Sequence, residues 1–334
     1  MPPTVQFSSD GNKIHIGPCF PFINILRPGY DMRPLFTGNP PLYSDPADPV
    51  TWAAATAYAA GTVVLSLATK TGYAYRAKSI AGTGTSAAVT EPTWPTVIGG
   101  TVTDNPGANQ IVWENVGPSW KWLASAPAFT NQQIRTTDGN IRIALNAGTV
   151  GTVEPTWSTV FGAVDNDNGV LWQNLGPTLA SGAVTGDIVF DVTATMIEAD
   201  ADQYTGPLRK DVTKEVAKIT GTLRQLDLSV VALSIPNAAY GSGTEVAFPS
   251  GVQSFQEIGF GGNLLVITPC VCVVSPRPNI PNSYFRGWFN KCAPSGNGSW
   301  PFSLKKYADF KVDWEGMIEP SFPAGYQIGR LVRN

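Results

Sequence analysis

The sequence predicts a mainly β protein: a strand-rich body with one short helix, interrupted by two tandem small β-rich modules. Three observations carry that prediction. Only 14% of the residues are charged, while 34 are Gly and 28 are Pro, a composition that interrupts helices and suits short strands joined by turns. A phrase in the middle of the chain is written twice. On either side of that duplication, several segments alternate apolar and polar residues, the period of a strand with one buried face.

The duplication aligns residue by residue. Glu91-Pro92-Thr93-Trp94, closed by Trp113-Glu114-Asn115-Val116-Gly117-Pro118, recurs as Glu154-Pro155-Thr156-Trp157, closed by Trp172-Gln173-Asn174-Leu175-Gly176-Pro177. Self-similarity of this kind marks repeated folding units. Trp94 and Trp157 are 63 positions apart, Trp113 and Trp172 only 59, and the difference fits the polar stretch Thr103 to Gln110, which reads as a loop. Upstream, Gly72-Tyr73-Ala74-Tyr75-Arg76-Ala77 aligns with Gly139-Asn140-Ile141-Arg142-Ile143-Ala144, and Trp52 corresponds to Trp122. The modules are therefore placed at residues 46–118 and 119–178. Residues 1–45 and 179–334 then form one discontinuous body domain, with Pro40-Pro41 and Leu179 to Gly182 as the tethers of the insertion.

Within the body, Ile14, His15 and Ile16 alternate as a strand. Gly186 to Ile197 and Glu215 to Leu223 also read as strands, the second with Ala217, Ile219 and Leu223 on one face and Lys218, Thr220, Thr222 and Arg224 on the other. Leu226 to Ser234 is the one good helix, with Leu226, Val230 and Leu233 on one side and a stop at Pro236. Asn237 to Ser254 reads as a long loop. Leu264 to Val274 is almost wholly apolar, the pattern of a strand buried on both faces, and Pro276-Arg277-Pro278-Asn279 follows as a turn. In Ala308 to Glu315, Ala308, Phe310, Val312 and Trp314 alternate with Asp309, Lys311, Asp313 and Glu315.

The repeated tryptophans have a structural reading. A domain of about 60 residues buries only about 60% of its unfolded surface. Each buried Trp removes roughly 150–250 Å² from water, about 4–6 kcal/mol at ~25 cal/mol/Å², which compares with about 5–15 kcal/mol of net stability for a whole domain. Trp94, Trp113, Trp157 and Trp172 are therefore assigned to the module cores rather than to a sugar platform. Glu91 and Glu154, each before a proline, are read as turn anchors that accept backbone N–H groups. Tyr73 and Tyr75 of the first copy become Asn140 and Arg142 in the second, so the aromatic strand reads as dispensable for the fold. Tyr58, Tyr73 and Tyr75 are accordingly the candidate glycan-binding residues, since flat rings match the apolar face of a pyranose.

Other chemistry finds little support. A net charge of −3 without any run of Lys or Arg gives no electrostatic basis for reading nucleic-acid sequence or coating a membrane. The N-terminus lacks a signal-peptide pattern, and no apolar run is long enough for membrane insertion. His15 is the single histidine and no Gly-x-Ser-x-Gly elbow is present, so no enzyme is expected and no catalytic or cofactor-binding residues are assigned. Cys19, Cys270, Cys272 and Cys292 lack paired CxxC knuckles, so reduced thiols are expected in place of zinc or a disulfide framework. Asp165-Asn166-Asp167-Asn168-Gly169 lacks the fifth and twelfth ligands of a calcium loop and reads as an Asx-rich turn. Gly259-Phe260-Gly261-Gly262 lacks the third glycine of a dinucleotide loop and reads as a hairpin or bulge.

One resemblance spans the body. Gln203-Tyr204-Thr205-Gly206-Pro207, followed by Thr213 to Leu223 and the short apolar helix, resembles the central segment of the major tail tube proteins of long-tailed bacteriophages. Lys306 to Val312, then Glu319-Pro320-Ser321 and Gly325-Tyr326-Gln327-Ile328-Gly329, resemble the end of the same family. The module pattern of a Trp, a Gly-Tyr-x-Tyr strand, a Glu-Pro-x-Trp turn and a closing Trp is similar to small β modules on phage structural proteins, some of them like chitin-binding carbohydrate modules.

The resemblance implies a tail-tube-like β-barrel or β-sandwich protomer with one helix on its side, which forms rings, usually hexameric, stacked into a tube. Its partners would be further copies of itself, the tape-measure and other tail proteins, and genomic DNA in transit without specific binding. Host-surface carbohydrate would be a further partner of the modules, no cofactor is implied, and the location would be the virion tail after assembly in the host cytoplasm. The loop Asn237 to Ser254 would touch the next ring, and the lumen face is expected to be neutral to acidic, because each neutralised phosphate adds affinity and drag. An insertion the size of the two modules must point outward, where a contractile sheath would collide with it, so a non-contractile tail is expected. Two other readings remain at this stage, a carbohydrate-binding tail adhesin and a single-ring tail terminator or connector.

Overall fold

The computed structural model describes residues 6–7, 13–16, 19–26, 34–38, 40–180, 184, 187–199, 209–223, 228–236, 238–246, 252–260, 268–276, 283–295, 309–320 and 322–333. Strands dominate, and Leu228–Leu233 is the one helix among the described residues. The body is built from two antiparallel sheets. The first runs Gln6–Phe7, Lys13–Ile16, Ile188–Ala199, Arg209–Leu223, Phe310–Gly316, Cys292–Pro294, and the second Leu179–Ala180, Phe20–Ile23, Val271–Pro276, Tyr284–Phe289, Gly329–Arg333. Neither closes on itself among the described residues, so the architecture is a sandwich and not a closed barrel.

The alternation seen in sequence explains the packing. Phe310, Val312 and Trp314 point inward with Ile188, Phe190, Ala217, Ile219 and Leu223, and they meet Ile23, Val271, Val273 and Phe289 of the second sheet. Phe190 and Phe289 touch across the sandwich with ring centroids 4.8 Å apart. The opposite face of the second sheet carries Phe22, Cys272, Val274, Tyr284 and Trp288, covered by Phe36 and Tyr43 of the hairpin Leu35–Thr37/Leu42–Ser44. That double burial is why Val271–Pro276 has no polar face. Cys270 and Cys272 share the hairpin side with Val274.

Several expected boundaries shift. The apolar strand begins at Val271; 268–270 are described but unpaired in the strand sense, and 264–267 and 277–282 lie outside the described residues. The helix spans Leu228–Leu233 and buries Val230, Val231, Ala232 and Leu233, on more than the one expected face, because so short a helix is wedged into the core rather than laid on it. Leu226 lies outside the described residues, as do Ala308, the Gln203–Pro207 motif and Gly261-Gly262. Of the expected loop Asn237 to Ser254, the described residues 238–246 and 252–254 are strand: Ala238–Val246 and Val252–Phe260 pair residue for residue as a two-stranded ribbon, with Gly259 and Phe260 at its end, and Asn237 and 247–251 lie outside the described residues. Neither tether is a free linker. Pro40-Pro41 forms the turn of the Leu35–Ser44 hairpin, and Leu179–Ala180 is an edge strand of the second sheet.

The two copies share one strand order. Val63–Leu65, Tyr73–Ile80, Ile111–Pro118 and Thr101–Asp104 match Gln133–Arg135, Ile141–Ala144, Val170–Gly176 and Val164–Asp167. No strand of either module sheet pairs with a strand of the other or of the body among the described residues. Thr103 and Asp104 belong to a strand, so the length difference is confined to residues 105–110. Its short counterpart is Asn168-Gly169, with φ of 51° and 92°, the backbone of a tight type I′ hairpin.

Each module sheet buries both faces. One face holds the tryptophans. The other, Leu65, Ala74 and Val116 in the first copy and Ile141, Ile143 and Leu175 in the second, joins Trp120, Leu179 and the body in a single cluster. Asn24 of the body ties the second copy down, Nδ2 donating to the carbonyls of Leu175 (2.9 Å) and Gly176 (2.7 Å), while Thr178 Oγ1 donates to Asn24 O at 2.9 Å.

Candidate functional site

The module cores repeat their Glu–Trp and Trp–Asp bonds, though Trp172 Nε1, unlike Trp113 Nε1, has no hydrogen-bond partner among the described residues. Glu91 accepts the backbone N–H groups of Leu67 and Ala68 and the indole N–H of Trp94 (2.7 Å), and Glu154 accepts the indole N–H of Trp157 at 2.7 Å. Trp52 Nε1 donates to Asp104 (2.9 Å), as does Trp113 Nε1 (3.2 Å), and Trp122 Nε1 donates to Asp167 at 2.8 Å. Sequence reading missed Asp104 and Asp167, because the loop of unequal length sets them at different distances from Trp113 and Trp172. Trp94, Trp113, Trp157 and Trp172 are all buried. Edge-to-face packing joins Trp94 to Trp113, with centroids 5.9 Å apart, and Trp157 to Trp172, 6.4 Å apart.

The candidate glycan platform is not one. Tyr75 has no exposed surface and stacks on Trp94 with centroids 4.2 Å apart. Tyr58 is buried edge-on against Trp113, with centroids 5.2 Å apart, and Tyr73 is half-buried and packs on Phe129 of the second copy at 4.6 Å. Tyr58 and Tyr75 are too deeply buried to offer a ring face to a pyranose, and one face of Tyr73 lies on Phe129.

Tyr75 also proves equivalent to Arg142 rather than dispensable. The two stand opposite Asn115 and Asn174 in their ladders. The Tyr75 hydroxyl donates to Thr71 Oγ1 (2.9 Å) and lies 3.3 Å from Pro95 O. Arg142 holds its guanidinium 4.7 Å from the centroid of the Trp157 ring and donates to Asp138, Asp165 and Ser158 O, each at 2.8 Å. Asp138 occupies the place of Thr71, and Ser158 that of Pro95. Its carboxyl is held below the ordinary range: burial acts to raise it, but the Thr136 hydroxyl, the Asn140 backbone and Arg142 outweigh burial.

The predicted Asx-rich turn is the hairpin end of Val164–Asp167/Val170–Gly176, and its carboxylates are engaged. Asp165 accepts from Arg142, and Asp167 accepts from Trp122 and from Gly151 N (2.7 Å). Among the described residues no cluster of three or more His, Cys, Asp or Glu could hold a metal. None of the four cysteines is in a disulfide, and all four are buried. Burial pushes Cys19 up to about 12 and raises Cys272 and Cys292 as well, away from the thiolate that reactivity requires. His15 lies on Lys13–Ile16, opposite Gln6 and Val189.

What the described surface does offer is an arm. Ile188–Ala199 and Arg209–Leu223 pair from Val189↔Thr220 to Ala199↔Arg209. Their neighbours stop early: Lys13–Ile16 pairs only as far as Asp191, and Phe310–Gly316 only from Lys218. Beyond those points no described strand borders either outer edge. Residues 193–197 and 212–215 are all exposed, and Met196, Ile197 and Val212 are 54%, 61% and 58% exposed. A lone two-stranded ribbon is marginal in water, and open edges with apolar side chains are templates for another chain. No protein-family model matches the chain, and no curated protein matches it.

Proposed function

We propose that this chain is the tail tube subunit of a long-tailed, non-contractile bacteriophage, whose copies close into rings that stack into a DNA conduit. The observation that carries this reading is the arm, a long strand pair whose outer edges no described strand borders beyond Asp191 and Lys218, with Met196, Ile197 and Val212 exposed. In a ring of identical subunits each arm lies against the next protomer, which covers the apolar residues and completes the open edges. The outer face of the first sheet supports the same reading. It carries Asp191, Lys218, Thr220, Asp313 and Glu315 in cross-strand register, with Lys218 and Glu315 paired at 3.2 Å. Such a face is polar without being a cationic surface, and suits a duct through which a polyanion must slide. The modules, fixed to the opposite side of the second sheet's edge by Leu179–Ala180 and Asn24, decorate the outside.

Charging the arm tests the proposal. Light scattering of the purified chain over a concentration series is expected to show growth into multi-subunit species. The triple variant Met196→Glu, Ile197→Glu, Val212→Glu, altered only at exposed sites, is expected to stay monomeric with an unchanged thermal transition. Assembly of the triple variant indistinguishable from that of the parent chain would overturn the arm's role.

A further inference from the structure

A cleft of about 340 Å³ opens between the second module, the helix and the ribbon Ala238–Val246/Val252–Phe260. Three aromatic rings reach it, Phe161, Tyr240 and Phe255. Phe161 and Tyr240 are half-buried and stand edge to face with centroids 6.4 Å apart. Hydrogen-bonding groups come from three different elements: Asn140 and Thr159 from the module, Ser229 from the helix, and Glu257 from the ribbon. Glu257 stands directly across the ladder from Gly241. Its Oε1 lies 2.8 Å from where a Cβ at Gly241 would be, so the missing side chain leaves the carboxyl room to lie over the neighbouring strand at the cleft wall. Among the described residues no Lys, Arg or His lines the space.

We propose that this cleft binds a neutral sugar. Aromatic rings match the C–H face of a pyranose, while amide, hydroxyl and carboxylate groups answer its hydroxyls, and the volume falls in the range of small-ligand sites. A single carboxylate with no cation to offset it works against phosphorylated, sulfated or carboxylated ligands. All the described walls belong to one chain, so binding can be tested on the unassembled protein. Weak binding would suffice wherever many copies are displayed together.

Saturation-transfer NMR on the full-length chain tests it, with maltose, cellobiose, lactose and N,N′-diacetylchitobiose as probes at about 10 mM each. At least one disaccharide is expected to receive saturation, with a Kd on the order of 1 mM. Glu257→Gln, at an exposed position, and Tyr240→Ala are each expected to weaken it about tenfold or more, whereas Tyr75→Phe leaves it unchanged. Absence of transfer to all four probes would overturn the proposal, as would transfer that survives both cleft variants. Saturation of choline in place of the sugars would do so too, by assigning the cleft to a cation.

Discussion

Tyr75 and Arg142 solve one packing problem with different chemistry. Both cover the face of the Glu-Pro-x-Trp tryptophan and both approach the carbonyl that follows it, Pro95 O or Ser158 O. The residues around them change in concert: Thr71 becomes Asp138, and Val102 becomes Asp165, so that the guanidinium gains two carboxylates. Arg142→Tyr alone would strand those carboxylates beside a buried site, and a loss of about 3–5 kcal/mol is expected in urea unfolding. Adding Asp138→Thr and Asp165→Val transplants the first copy's arrangement and is expected to recover at least half of that loss. No recovery would mean that the two slots are not equivalent. The tryptophans and the Glu-Pro-x-Trp turn were legible from their repetition alone. The role of Tyr75 was not, because its replacement by Arg looks like freedom until the shared carbonyl and the shared indole face are seen.

Among elements, legibility followed one-sided burial. Phe310–Gly316 alternates because one face meets the core, and its period is plain in the sequence. In Arg209–Leu223 the alternation is plain only from Glu215 onward, since residues 212–215 are exposed on both faces. The ribbon Ala238–Val246/Val252–Phe260 was read as a loop for a similar reason, its first strand being rich in Gly and Ser that announce turns. Elements of this kind are held by tertiary or quaternary neighbours more than by their own pattern. The arm makes that dependence measurable. Hydrogen exchange of the monomer is expected to be fast across residues 193–197 and 212–215, where few buried contacts resist local opening. Exchange in the assembled state is expected to slow there, while Ile219, Trp314 and Val273 stay protected in both states. Equal protection of the arm in monomer and assembly would place the subunit contact elsewhere.

At the scale of the whole molecule, the chain is a β-sandwich onto which a duplicated module is fused in series, each copy's second face covered by the unit that follows it. Trp120 covers the first copy, and Leu179 with Asn24 and the body's core covers the second. The duplication and the mainly β class could be read from repetition and composition. Docking could not, because Ala74, Val116, Ile141 and Leu175 gain their partners only when distant segments meet. The proposed tube subunit would display its docked modules in number. Negative-stain electron microscopy of the purified chain over a concentration series tests that claim most directly. The account predicts rings that stack into tubes with knobs on the outer wall. Particles that remain single subunits at every concentration, also when preformed tube ends are supplied as seeds, would contradict it.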